Sequence, residues 1–409
     1  MYIHTKNFKS ISCVLLLFFL GVLPSLAGKY LNASSTTVGV LIFIMLLFPF
    51  YVRFIPKLYY IKYSFIIISV FFVIFILLQG LLVSDLNARA YLSLPIVIIF
   101  LISAFLVAAA VSDLENIDYS RVIYWLNNIL LFIVVGNILT GFKLGLFLGG
   151  GHTDIYPFGE PSHFALFLGP LAIAEFILSE IKYRKYIILI SVFLIGISIP
   201  NTTLLVYVLL MLLLVVKFSK SSLLAFGIFL LCGYTYLISN DVNFDYFIDR
   251  LTLTSDSENL SALVYLQGVD YSLKSLSDTY GLGVGFQMMG TQEQSIITQR
   301  IIELTASGTA LNRLDGGFLA AKLVTEFGFL GCLLVFIFIF YFAKSYFYLR
   351  DYRLSKEGEI SKLYIISTAI VYSFAVEMFV RGIGYFTSTI FLFLVAVFLK
   401  MSINRHKFT

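Results

Sequence analysis

Apolar residues along this chain are gathered into long continuous blocks, separated by short polar stretches. The blocks run to roughly 17 to 25 residues, the length an α-helix needs to cross a hydrocarbon core of roughly 30 Å. Twelve such blocks predict twelve transmembrane helices: 11–27, 36–52, 63–83, 92–111, 122–140, 161–179, 187–200, 202–216, 223–239, 317–342, 363–380 and 385–400. The seventh and eighth form a tight hairpin around "SIPNTT", where Pro200 and Asn201 interrupt the helical pattern. The fold class expected is all-α: a polytopic membrane helical bundle forming a single integral membrane domain over residues 1–409.

Composition agrees with the pattern, since 60% of the 409 residues are hydrophobic and only 12% charged. Basic residues outnumber acidic ones, 28 to 23, but they sit in loops between apolar blocks, which excludes a nucleic-acid-binding face. Their distribution orients the bundle instead. With the N-terminus in the cytoplasm, 19 of the 28 Lys and Arg fall on the cytoplasmic side, as the positive-inside rule requires, and both termini are then cytoplasmic. The first block follows Lys6 and Lys9 and so mimics a signal peptide. The many spans after it favour an uncleaved first helix. Cys13, Cys232 and Cys332 lie in or beside apolar blocks, with no metal-site spacing and no disulfide framework.

One loop is long. Residues 240–315 form a large outer, periplasmic segment with ten acidic residues against four basic ones. Leu260, Leu263, Leu266 and Tyr271 recur at helical intervals and predict an amphipathic helix over 258–275, started by the capping-box spacing of "SDSE" at 255–258. A second helix is predicted over 291–304. Between them "YGLGVGF" reads as a glycine-rich turn that lets the backbone approach a ligand or another helix. It lacks the strand–turn–helix context and the spaced acidic residue of a nucleotide fingerprint.

Candidate chemistry is sparse and lies on the outer side. Arg250, Arg300, Arg313 and Arg381 stand in or beside the acidic loop and the last outer turn. Each has two readings: a directional grip on an anion through the planar guanidinium fork, or an ion pair with a neighbouring carboxylate. For Arg250 that carboxylate is Asp249 or Asp245. For Arg381, at the end of an apolar span, it is Glu377 one helical turn earlier. The stretch "GGGHTDIYPFGEPSHFALF" at 149–167 places Glu160 just before a helix that Pro161 opens, with His163 in its first turn. One carboxylate and one imidazole there are acid–base equipment, or a helix cap with a packed histidine. His152 and Asp154 stand farther out.

Four stretches together resemble the O-antigen polymerase family (Wzy type) and, more loosely, the O-antigen ligases: "FGEPSHFA" at 158–165, "SALVYLQGVDYSLKSLSDTYGLGVGFQMMG" at 261–290, "LDGGFLAAKLVTEFGFLG" at 314–331 and "EMFVRGIGYFTSTIFLF" at 377–393. The resemblance implies a bacterial inner-membrane glycosyltransferase with a C-type glycosyltransferase-like bundle. Such an enzyme polymerises oligosaccharide repeat units carried on undecaprenyl pyrophosphate at the periplasmic face. For such a transfer, Glu160 or His163 is the expected acceptor of the hydroxyl proton. Arg250, Arg313 and Arg381, with Asp315, Gly283 and Gly285, would form the substrate-binding set. No metal or other cofactor is implied. The implied partners are the lipid-linked oligosaccharide, membrane lipids, a chain-length regulator and a flippase. The ligase pattern fits less well: no Arg stands in "SALVYLQG" before the glycine turn, and 240–315 contains no His. A flippase would need polar residues deep in several spans.

Overall fold

The computed structural model describes residues 2–31, 36–60, 63–82, 88–114, 117–141, 155–215, 249–250, 252–305, 308–355 and 361–405. The elements assigned there are helical. In chain order they are α1 (Tyr2–Tyr30), α2 (Thr36–Tyr51) running into a 3-10 helix (Val52–Tyr60), α3 (Tyr63–Leu82), α4 (Ala88–Ser112) and α5 (Tyr119–Leu139). Then come α6 (Pro161–Leu178), α7 (Lys182–Ser198), α8 (Thr202–Val215), α9 (Leu260–Asp278) and α10 (Ile296–Leu304). The chain closes with α11 (Leu319–Ser355), α12 (Lys362–Ser373), α13 (Ala375–Phe379) and α14 (Ser388–Arg405). Among the described residues seven helices are long and apolar enough to cross a membrane, and three shorter apolar helices accompany them. The molecule is an all-helical, membrane-embedded protein. The expected spans fall on helical segments, 363–380 on α12 and α13 together, except 223–239, which lies outside the described residues.

The bundle is organised around α6. Its side chains from Phe164 to Leu178 are all buried, and it packs against α12, α5, α8 and α7. Close approach is built into it: a Cβ at Gly169 would overlap the ring of Tyr207 on α8. At its C-terminal end Glu175 is buried but doubly held. Arg184 Nε donates to it at 2.6 Å and Asn127 Nδ2 at 2.7 Å, while Arg184 also lies over the ring of Tyr124. This polar knot ties α5, α6 and α7 together.

The "SIPNTT" hairpin forms as its breakers require. Helix α7 ends at Ser198, and buried Asn201 caps α8 by accepting from the backbone N–H groups of Thr203 (3.0 Å) and Leu204 (3.3 Å).

Three boundaries differ from expectation for local reasons. Helix α9 starts at Leu260, not 258. Asn259 is its cap and accepts from Ser261 and Ala262, so the "SDSE" spacing does not cap this helix. Helix α10 starts at Ile296, where Ser295 accepts from Thr298 N, leaving "TQEQ" outside. Helix α11 continues 13 residues beyond the expected limit of 342, to Ser355. No Gly or Pro stands between 343 and 355 to stop it earlier. Arg350 donates to Tyr346 one turn back, and Arg353 lies over Phe176.

Helix α11 is broken within its apolar part. Gly328 adopts φ 55°, ψ −128°, which frees backbone groups that hydrocarbon cannot satisfy. The glycine turn supplies the partners. Phe329 N donates to Gly281 O (2.8 Å), while Val284 N and Gly285 N donate to Thr325 O (2.9 Å) and Glu326 O (3.1 Å). Gln79, buried on α3, bridges Leu282 O and Glu326 O. Of the two partners the turn could approach, it meets a helix. Helix α9 docks beside it. Gly268 sits where a Cβ would strike Gly316 O, and Ser272 and Ser275 donate to Ala321 O and Thr325 O of α11.

Candidate functional site

A cavity of about 860 Å³ opens at the N-terminal end of α6. Its walls come from segments far apart in sequence: the start of α6, the α7–α8 hairpin, Arg250 and Leu253, the first turns of α9, Gly317, and the segment around the end of α13. Charged side chains on these walls are Glu160, Arg250 and Arg381. Most of the remaining wall is apolar or aromatic, including Val206, Leu253, Phe379 and Tyr265, whose ring stacks on Phe318 at 4.3 Å.

Glu160 occupies the N-cap position of α6 with extended backbone (φ −140°, ψ 150°), and Pro161 follows in the first turn. Its carboxylate makes no cap bond to the helix. Oε2 instead accepts from Ser162 Oγ (2.9 Å) and Arg381 Nη2 (3.3 Å), with His163 Nε2 at 4.0 Å. Partial burial pushes this carboxyl up, but His163, Arg381 and the two hydrogen bonds outweigh it and hold Glu160 below its ordinary value. His163 also lines a separate chamber of about 30 Å³ together with Thr387 and Thr389.

Arg381 lies just beyond α13, where the chain leaves the helix. Its own N–H and that of Val380 both donate to Val376 O. The expected partnership with Glu377 does not form, because that spacing presumes a helix continuing through 381. Glu377 turns inward, 1% exposed, and accepts from Thr387 Oγ1 at 3.0 Å, while Arg381 reaches Glu160. Arg250 donates from Nη1 to Thr202 Oγ1 and from Nη2 to Ser261 Oγ, both at 3.0 Å. These bonds aim it along the wall formed by α8 and α9. Arg300 pairs with Glu303 three residues on, at 3.3 Å, which is the ion-pair alternative of the sequence reading.

The other predicted site residues lie elsewhere. Arg313 donates to Gln292 O at 2.7 Å and abuts Gly290, outside the cavity lining. Asp315 meets Lys322 (3.2 Å) and Arg89 (3.5 Å). Gly283 and Gly285 belong to the turn against α11. The structure thus gathers Glu160, Arg250 and Arg381 around one cavity, with His163 beside Glu160. It leaves Arg313, Asp315, Gly283 and Gly285 outside. His152, Asp154, Asp245 and Cys232 fall outside the described residues.

Sequence reasoning overlooked a buried charge network. Lys322 and Glu326, one turn apart on α11, are both fully buried and 3.1 Å apart. Lys322 also donates to Leu314 O and lies 5.1 Å from the ring centre of Tyr385. The signal was "KLVTE" inside an apolar block, a spacing that brings Lys and Glu to one helix face. Among the described residues no group of His, Cys, Asp and Glu is arranged to hold a metal ion.

The fold and cavity together define a class: an all-helical membrane protein with a charged cavity at one end of its central helix. Comparison with protein-family models, curated proteins and solved structures finds no match.

Proposed function

We propose that this protein is a membrane glycosyltransferase of the O-antigen polymerase kind. It transfers a growing glycan from undecaprenyl pyrophosphate to a hydroxyl of the next lipid-linked repeat unit. The proposal includes twelve spans, cytoplasmic termini and a periplasmic 240–315 segment, so that the cavity faces the periplasm of a bacterial inner membrane. The observation that carries it is the meeting of two arginines and one carboxylate in a largely apolar cavity within a membrane bundle. Such a site suits a ligand with an anionic group and an apolar tail.

In this reading Arg381 and Arg250 hold the donor pyrophosphate. They stabilise the charge that develops on it as the sugar–phosphate bond breaks. Glu160, ionised at neutral pH, accepts the hydroxyl proton as the new glycosidic bond forms. Undecaprenyl pyrophosphate leaves as the anion. Positive charge beside Glu160 lowers its basicity, and binding of the pyrophosphate to Arg381 relieves that effect when the base is needed. The resemblance of "FGEPSHFA" and "EMFVRGIGYF" to the family supports the same assignment.

The test is glycan ladder formation in a strain lacking its own polymerase. Arg381→Ala and Glu160→Gln, expressed at wild-type level, should abolish the ladder, and Arg250→Ala should shorten it. Arg313→Ala should leave it intact. Full ladders from both Arg381→Ala and Glu160→Gln would end this reading. Product on lipid A core rather than on undecaprenyl pyrophosphate would make the protein a ligase.

A further inference from the structure

Arg381 stands on a non-helical segment, 380–387, between α13 and α14. A long side chain on such a segment aims reproducibly only if the segment is fastened. The fastening is visible at its base. Glu377 Oε1 accepts from Thr387 Oγ1 at 3.0 Å across ten residues, and the same hydroxyl accepts from Ile390 N at 3.1 Å, so it also caps α14. Thr389 lies 3.0 Å from Thr387, adding a second hydroxyl to the cluster. On the opposite side Gly382 N donates to Gly317 O at 2.7 Å. Gly384, at φ 102°, leaves so little room that a Cβ would meet Asp315 at 2.8 Å.

We propose that Glu377 is the positioning residue for Arg381, closing the 377–387 segment into a clasp that presents the guanidinium to the cavity. Glu377 is almost wholly buried and, among the described residues, takes part in no ion pair. Its work in the clasp is to offer an acceptor oxygen to Thr387, a task that needs no charge. Glutamine at 377 offers the same oxygen at the same reach, whereas alanine offers none. The clasp is a property of the fold. That its purpose is to aim Arg381 at a pyrophosphate rests on the function proposed above.

The experiment has two readouts on the full-length protein in nanodiscs. Amide hydrogen exchange over 380–387 reports the clasp itself. Binding of a polyprenyl pyrophosphate reports what the clasp presents. Glu377→Ala and Thr387→Val should each speed exchange in this segment and weaken binding about ten-fold, the scale of one lost charge-assisted contact. Glu377→Gln should match wild type in both. With Arg381 already changed to Ala, adding Glu377→Ala should weaken binding less than about two-fold further, because the two residues act through one contact. Unchanged exchange in both Glu377→Ala and Thr387→Val overturns the proposal. So does a Glu377→Gln variant as defective as Glu377→Ala. If wild type binds no polyprenyl pyrophosphate while exchange responds as expected, the clasp stands and the proposed substrate falls.

Discussion

Arg381 and Glu160 are separated by 221 positions in sequence and by 3.3 Å in space. One ends the α13 segment and the other begins α6, so their contact joins two parts of the bundle at the cavity wall. Both are partly open to solvent, with Glu160 at 53% and Arg381 at 23% side-chain exposure. A pair this accessible adds little stability, and its value lies in where it holds two charges.

Glu160 titrates below its ordinary value. A depressed carboxylate contributes stability above its unfolded-state value, near pH 4 (about 4.3 for Glu). It loses that contribution as pH falls through its lower folded value. The melting temperature of wild type should therefore approach that of Glu160→Gln below about pH 4 and exceed it above. In Arg381→Ala the Glu160 titration should move upward, as followed by carboxyl-specific infrared bands. A titration unchanged by that substitution removes Arg381 as a cause of the shift.

Lys322 and Glu326 are fully buried together. Replacing Lys322 by Met leaves Glu326 without its cation and should destabilise the protein by about 3–5 kcal/mol. Lys322→Met with Glu326→Gln should recover most of that loss, since Asp315 keeps Arg89 and some solvent contact. Unfolding in mixed micelles measures both, and equal loss in the single and double variants would contradict the pairing.

Gly283 combines φ 82° with a position where a Cβ would stand 2.5 Å from Glu326 O. Gly308 also has positive φ (64°), but open space around it. Both alanine variants bear the backbone strain, about 1 kcal/mol or more. Only Gly283→Ala must also push the turn off α11. Its melting temperature should fall clearly further than that of Gly308→Ala, and equal shifts would refute the close approach.

Asn201 caps α8 at the hairpin that lines the cavity. Asn201→Ala should cost about 1 kcal/mol and Asn201→Asp much less. Thermal unfolding in the same detergent compares them, and an Asp variant as weak as Ala would rule out side-chain capping.

The helical bundle was legible because continuous apolar blocks permit few alternatives, and proline and asparagine marked the α7–α8 break without help from tertiary contacts. Glu160 was legible too, since Pro161 announces a helix start beside it. What local patterns could not reveal was pairing over distance. Arg381 was matched to Glu377 by helical spacing, but the chain leaves the helix at Phe379 and the two side chains part. Arg313 stands four residues before Gly317, which lines the cavity, yet it bonds to Gln292. Lys322 and Glu326 stood in plain view at one-turn spacing, and only burial reveals that they form the centre of a network.

The broken α11 carries one further consequence. Its unsatisfied backbone groups at Gly328 are met by the turn at 281–285 and by Gln79. Lifting that turn would strand several amides and carbonyls among apolar side chains, each at a cost of roughly several kcal/mol. Helix α9, which also bonds to α11 through Ser272 and Ser275, is therefore anchored masonry and not a hinged cover. Any widening of the cavity must come from its other walls.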